Sequence, residues 1–385
     1  MITRILNKSN FLKEIKKILI ALISVFVFLI FWANKTKFYP ENVLLWAKNM
    51  FFLIKTSKSD MCDFSSDNIL KQNIGKIGNN FVITDDNSFV ILDNNNFVIR
   101  EQRHSFSNPC MKSRGSRAII YDIGGKKISI ETVCGNLLNT EQKNNIISCD
   151  ISENGTYGVL TSSPSYLSEL KIYSEKNVEK YAYYFSENYI CDIEINSTGE
   201  ECVCCGVSTE NGDINSCVYL LDFKQKKPKF KLQINDNFVT KIKYLNNKNI
   251  IAVGDNFVSI INLSSKSVKN YLYNNKFVKF CDIKKDKGIC YCLVSDLELS
   301  KNYEIHVINT LKKENIFTIN CSNIKDMLYT GNRIFILCDS ELRSYNLNGK
   351  LEKSINIDNN AKIIFGNSNS FLYIINKNRI NKIKF

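Results

Sequence analysis

Histidine and tryptophan are almost missing from this 385-residue chain, which holds two of each. The histidines, His104 and His306, lie far apart, and no HExxH run, EF-hand loop, GxSxG elbow or glycine-rich phosphate loop occurs. The usual local signatures of metalloprotease, calcium-binding, α/β-hydrolase and nucleotide chemistry are therefore absent. Proline is scarce too: Pro40, Pro109, Pro164 and Pro228 fall at helix starts or in turns. None interrupts a strand-like run, as ladder hydrogen bonding requires. Helical periodicity is nearly lacking beyond residue 73, where short alternating apolar runs are separated by Asn, Asp, Gly, Ser and Lys turns.

What is present is repetition. Asn80-Phe81-Val82, Asn96-Phe97-Val98, Asn237-Phe238-Val239 and Asn256-Phe257-Val258 each launch an apolar run. Larger units begin near residues 73, 107, 146, 189, 238, 277, 323 and 361, a spacing of roughly 40 that matches four-stranded propeller blades. Ile147-Ser148-Cys149-Asp150-Ile151 and Ile190-Cys191-Asp192-Ile193 open two units whose later strands also correspond. The pattern predicts an all-β, seven- or eight-bladed β-propeller over residues 61–385. The last unit has room for three strands, and Met61 to Ile69 is the candidate to complete its sheet. Both tryptophans, Trp32 and Trp46, precede the blades, so the tryptophan repeats of a quinone-binding propeller are missing.

Ile18 to Ala33 carries no charge. It is apolar on every face, with lysines at both ends able to snorkel, and predicts one transmembrane helix over 18–33. Basic residues are denser before it than after it, placing a short tail (1–17) in the cytoplasm and the large domain outside the cell membrane. Phe31 and Trp32 put bulky rings where a cleavage site needs small residues, favouring an uncleaved signal anchor over a signal peptide. In the juxtamembrane segment 34–60, Pro40-Glu41 opens a short second helix. Its apolar run, Val43 to Ile54, is too short to span. Two placements are open for it: along the membrane interface, or packed on the propeller.

The formal charge of +13 is concentrated at this end: residues 1–60 carry +7 and the other 325 carry +6. That distribution suits anionic headgroups and predicts no nucleic-acid partner. Lys224 to Lys231 reads as a solvated turn and outer strand. The fourteen cysteines mostly alternate within strand-like runs, as small buried hydrophobes do. Cys202-Val203-Cys204-Cys205 and Cys290-Tyr291-Cys292 lack the two-residue separation of common zinc ligands, so neither metal nor cofactor is expected. Thiols outside a membrane imply a low-oxygen habitat, or bridges that sequence does not assign.

The segments Glu101 to Pro109, Lys112 to Gly125 and Ser162 to Tyr173 resemble an uncharacterised family of clostridial membrane-anchored β-propeller proteins. The resemblance implies an N-terminal membrane helix, a helix beginning Pro40-Glu41-Asn42-Val43 and a WD40- or quinoprotein-like blade array, with no established activity. Met61 to Ser66 departs from the family's glycine-rich aromatic-proline strand.

One candidate cluster stands out where the repeat breaks: Arg103, His104, Arg117, Tyr121 and Asp122, read as lining one end of the channel and binding an acidic polymer or peptide terminus. The rival reading has Asp122 bonding its own turn. The functional expectation is a non-catalytic binding or scaffolding module of the cell envelope, with a protein or envelope polymer as partner. The alternatives are an envelope hydrolase acting on glycans or peptides, and a subunit of an assembly or secretion complex.

Overall fold

A computed structural model describes residues 17–26, 28–29, 39–55, 69–210, 212–284, 288–312, 314–366, 371–376 and 379–384. Eight antiparallel sheets follow one another along the chain, seven of four strands and the last of three. They form an eight-bladed β-propeller: blades 1 to 8 cover residues 74–103, 109–141, 146–185, 189–234, 241–272, 277–322, 324–356 and 363–384. Every blade start lies within three residues of its sequence expectation. Of the segment Met61 to Ile69, expected to close blade 8, residues 61–68 lie outside the described residues.

Burial explains the sequence pattern of each blade. Middle strands such as Ser88–Leu92, Tyr157–Thr161 and Ile289–Ser295 are buried throughout, because neighbouring blades cover both faces. Outer strands such as Asn136–Glu141 and Leu351–Asn356 are largely exposed and polar, which blunts their free edges.

Neighbouring blades are latched at their inner strands by a recurring polar acceptor. Asp150 accepts the Ile195 N–H at 2.7 Å, Asp192 that of Ile242 at 3.2 Å, and Asp326 that of Ile364 at 2.8 Å. Asn73 does the same for Met111 N–H at 3.2 Å. The matched Asp150 and Asp192 of the two Cys-Asp-Ile repeats are therefore inter-blade acceptors, and Asp326 plays the same part between blades 7 and 8. Asn237 serves the outer turns: its Oδ1 accepts the N–H groups of Asn256 (3.0 Å) and Phe257 (3.3 Å), so one Asn-Phe-Val start braces the next.

The ring closes between blades 8 and 1. Phe81 meets Phe365 and Tyr373 edge-on, both at 5.0 Å between centroids, and Asn96 Nδ2 donates to Ile380 O at 2.8 Å. Lys71, just ahead of blade 1, bonds Asp326 at 2.6 Å and the Ile364 carbonyl.

Helix α1, Pro40–Lys55, packs on blades 1 and 2. Leu45 and Asn49 are buried, and Phe52 and Leu53 pack against the cluster of Ile77, Val82, Ile91 and Ile120. Asn42 Oδ1 accepts from Arg117 at 2.5 Å, and Asn49 Oδ1 from Cys134 N–H at 3.2 Å. Of the two placements open from sequence, the propeller contact is thus made. The opposite face still exposes Val43, Leu44, Trp46, Met50, Phe51 and Ile54.

Upstream, residues 17–26 and 28–29 are helical, and Ile18, Leu22, Phe26 and Leu29 are exposed. Among the described residues no helix is long and apolar enough to cross a membrane. Residues 27 and 30–33 of the expected span, and 1–16 of the expected tail, lie outside them.

Candidate binding surfaces: channel and aromatic groove

The five residues singled out from sequence occupy different environments. Arg117 and Asp122 stand at opposite ends of one strand, Arg117–Asp122, about 16 Å apart at strand rise. Arg117, 2% exposed, joins α1 to blade 3 by donating to Asn42 and to the Glu153 carbonyl at 3.1 Å. Burial lowers its guanidinium from the usual arginine value, with Glu175 and Glu41 opposing. Asp122 Oδ1 accepts the N–H groups of Ser107 (3.0 Å) and Asn108 (2.7 Å), a turn-bracing role. Tyr121 packs in the core between blades 2 and 3, and burial pushes its phenol well above the ordinary value. His104 stacks on Phe106 at 4.8 Å and places Nε2 3.0 Å from the Asp85 carbonyl. Phe106 N–H donates to its Nδ1 at 3.4 Å, so the ring is the neutral Nε2–H tautomer. Arg103 is exposed at the end of blade 1. The structure does not gather the five at a channel mouth.

The channel is instead lined by inner-strand residues around a cavity of about 1040 Å³. Its charges are paired, most of them across blades. Lys112 meets Asp192 at 2.8 Å, Arg114 meets Glu194 at 2.9 Å and Asp150 at 3.8 Å, and Asp282 lies 3.5 Å from Lys284 and 3.8 Å from Lys243. Burial alone would lower the Lys112 ammonium, but Asp192, with Tyr121 and Asp150, holds it well above the usual lysine value. Burial raises the Asp150 carboxyl despite Arg114 and Lys112. Lys241 is different: burial and the adjacent Lys243 lower its pKa, and among the described residues no carboxylate lies within 4.0 Å of it.

A second concavity sits at the rim. The outermost strand of blade 3, Glu179–Phe185, reads EKYAYYF. Tyr181 stacks near Phe223 at 5.4 Å, and Tyr184 near Tyr166 at 5.0 Å. Together with Lys224, Gln225 and Lys226 these rings line a groove of about 540 Å³ between blades 3 and 4. Tyr166 and Tyr184 are each 45% exposed, and the buried Tyr181 hydroxyl has no hydrogen-bond partner. The lysine run beside it is largely tied down: Lys229 pairs with Asp222 at 3.0 Å, and Lys231 with Glu187 at 2.5 Å. Sequence reading missed this groove. Its signal was the tyrosine density at 181–184, whose cross-blade partners 40 residues away only the fold supplies.

Fold and surfaces define an eight-bladed β-propeller with a charge-paired channel. The chain belongs to the DUF5711 family, a family of unknown function whose model matches residues 56–385. No curated protein matches the sequence. Among solved structures the chain is similar to BamB from Moraxella catarrhalis (10% identity, TM-score 0.54, 86% of this chain and 100% of that one). It is also similar to the C-terminal WD40 domain of Sif2 (11%, 0.59, 86% and 99%). A third likeness is the quinohemoprotein alcohol dehydrogenase ADHIIG from Pseudomonas putida HK5 (8%, 0.55, 83% and 74%). At these identities the likeness is one of fold.

Proposed function

We propose that the protein is a membrane-anchored propeller that acts outside the cell membrane as a non-catalytic docking module. Its partner is an extended protein segment seated in the groove between blades 3 and 4. The groove carries this reading: it joins an edge strand, exposed aromatic rings, an unsatisfied tyrosine hydroxyl and lysines on one rim. An edge strand offers main-chain pairing to a guest strand, and the rings offer pockets for its alternate side chains. Lys226 on this rim favours an acidic guest, while Lys224 is 3.2 Å from Glu200.

The channel supports a framework role over the hydrolase alternative. Asp150, Asp192, Glu194 and Asp282 each lie against a cation rather than facing one another across open space, as glycosidase carboxylates do. Anchoring through residues 18–33, with the N-terminus cytoplasmic, is supported by the exposed apolar helical residues 17–26 and 28–29 and the concentration of positive charge around them.

The test is affinity capture from detergent-solubilised membranes with wild type and a Tyr166→Ser/Tyr184→Ser variant. A stoichiometric protein should be retained by the wild type and lost from the variant, both having equal thermal stability. Equal capture by both excludes the groove.

A further inference from the structure

Blade 6 holds a thiol cluster outside both the channel pairs and the groove. Cys281 and Cys292 stand directly opposite each other between strands Phe277–Lys284 and Ile289–Ser295. Cys290, two residues before Cys292, projects from the same face. The sulfurs converge: Cys281 lies 2.7 Å from Cys292 and 3.3 Å from Cys290, and Cys290 lies 3.8 Å from Cys292. All three are buried in the core between blades 5 and 6, and no carboxylate belongs to the group. Cys290 and Cys292 lack zinc spacing along their own strand, but Cys281 joins them by register from the neighbouring one.

An all-sulfur donor set selects a soft, thiophilic cation over calcium or magnesium. Sulfurs bound to one tetrahedral zinc are about 3.8 Å apart. The Cys290–Cys292 pair already has this separation, and a small rotation of the Cys281 side chain opens the other two. The surroundings are suited to anionic sulfur. The buried Tyr273 hydroxyl donates to Cys292 Sγ at 3.9 Å. Lys241, with no carboxylate within 4.0 Å among the described residues, lines with Cys281 one cavity of about 530 Å³ that opens to the outside. His306 is the register partner of Cys292 on the next strand, and its Nε2 lies 3.1 Å from Glu304. His306 is thus engaged by Glu304 and stands outside the group of ligand atoms that lie within 4.8 Å of one another, so the three thiols are the protein donors.

We propose that Cys281, Cys290 and Cys292 form a Zn²⁺ site of three thiolates whose fourth position is left open. Binding displaces the three thiol protons to solvent, so uptake weakens as pH falls. Three thiolates around Zn²⁺ leave one negative charge, which the Lys241 ammonium balances.

The test uses the full-length protein in detergent, stripped with a chelator and titrated with Zn²⁺, with Co²⁺ as a spectroscopic surrogate and with Cu⁺. One equivalent of Zn²⁺ should bind, Co²⁺ should give a thiolate charge-transfer band, and Cys281→Ala and Cys292→Ala should abolish both. Cys202→Ala, buried in blade 4, should keep both. Lys241→Met, which leaves the thiols in place, should weaken zinc binding roughly 10- to 100-fold. Should the alanine variants misfold, zinc protection of these three cysteines from alkylation in the wild type decides the matter. The proposal is overturned by equal metal uptake in the triple alanine variant, by uptake of Cu⁺ alone, or by a Cys281–Cys292 disulfide in the purified protein.

Discussion

Lys71 and Asp326 are separated by 255 positions in the chain and meet at 2.6 Å. Asp326 also accepts the Ile364 N–H, so one carboxylate ties the segment before blade 1 to blades 7 and 8. Asp326→Ala should cost about 3 kcal/mol, because it strands a half-buried ammonium and a backbone donor together. Asp326→Asn, which still accepts the N–H, should cost less. Urea midpoints of the two variants check the order, and equal loss would contradict it.

Asn237 is 1% exposed and braces the turn at Asn256 and Phe257. Asn237→Ala should lower stability by about 2–3 kcal/mol, since two N–H groups lose their acceptor. Gly254→Ala should act on the same device, as an added Cβ would stand 2.1 Å from Asn237 Oδ1. The double variant should lose little more than the worse single, because both break one contact. Additive losses in thermal denaturation would separate the two.

His104 titrates below the usual histidine value because burial outweighs the attraction of Asp85. The unfolded chain therefore binds the proton more tightly than the folded one. The stability this neutral ring supports is complete above the unfolded pKa of about 6.5 and falls as pH drops through the folded value. His104→Gln should flatten that part of the stability–pH curve. An unchanged slope would assign the acid sensitivity elsewhere.

The exposed face of α1 carries Trp46 at 59% exposure beside Phe51 and Ile54. In a Trp32→Phe background Trp46 is the sole indole. If this face rests on the bilayer, brominated acyl chains should quench its fluorescence in liposomes and aqueous acrylamide should quench it poorly. The reverse pattern would leave the face to another occupant.

Blade boundaries were legible because each rests on local chemistry: apolar alternation in the strands and residues that tolerate positive φ in the turns, such as Asn96 at 71° and Asn332 at 73°. The site was less legible because it depends on register. Arg117 and Asp122 are five residues apart and look adjacent in sequence, yet an extended strand carries them to opposite ends of a blade. Cys281 and Cys292 look unrelated, yet hairpin pairing sets them side by side. Asp150 and Asp192 were visible as matched positions, but their inter-blade role needed the neighbouring backbone.

The position of α1 has a mechanical consequence. A pull on the N-terminal end of the chain reaches the bonds of Asn42 and Asn49 to blade 2, and the packing of Phe52 and Leu53 on blades 1 and 2, before it reaches Lys71. Load is thus taken across the flank of two complete blades, and the seam where the ring joins itself is spared. Were the chain anchored through residues 18–33 as proposed, the helix would work as strain relief, keeping the ring shut under a pull from that end.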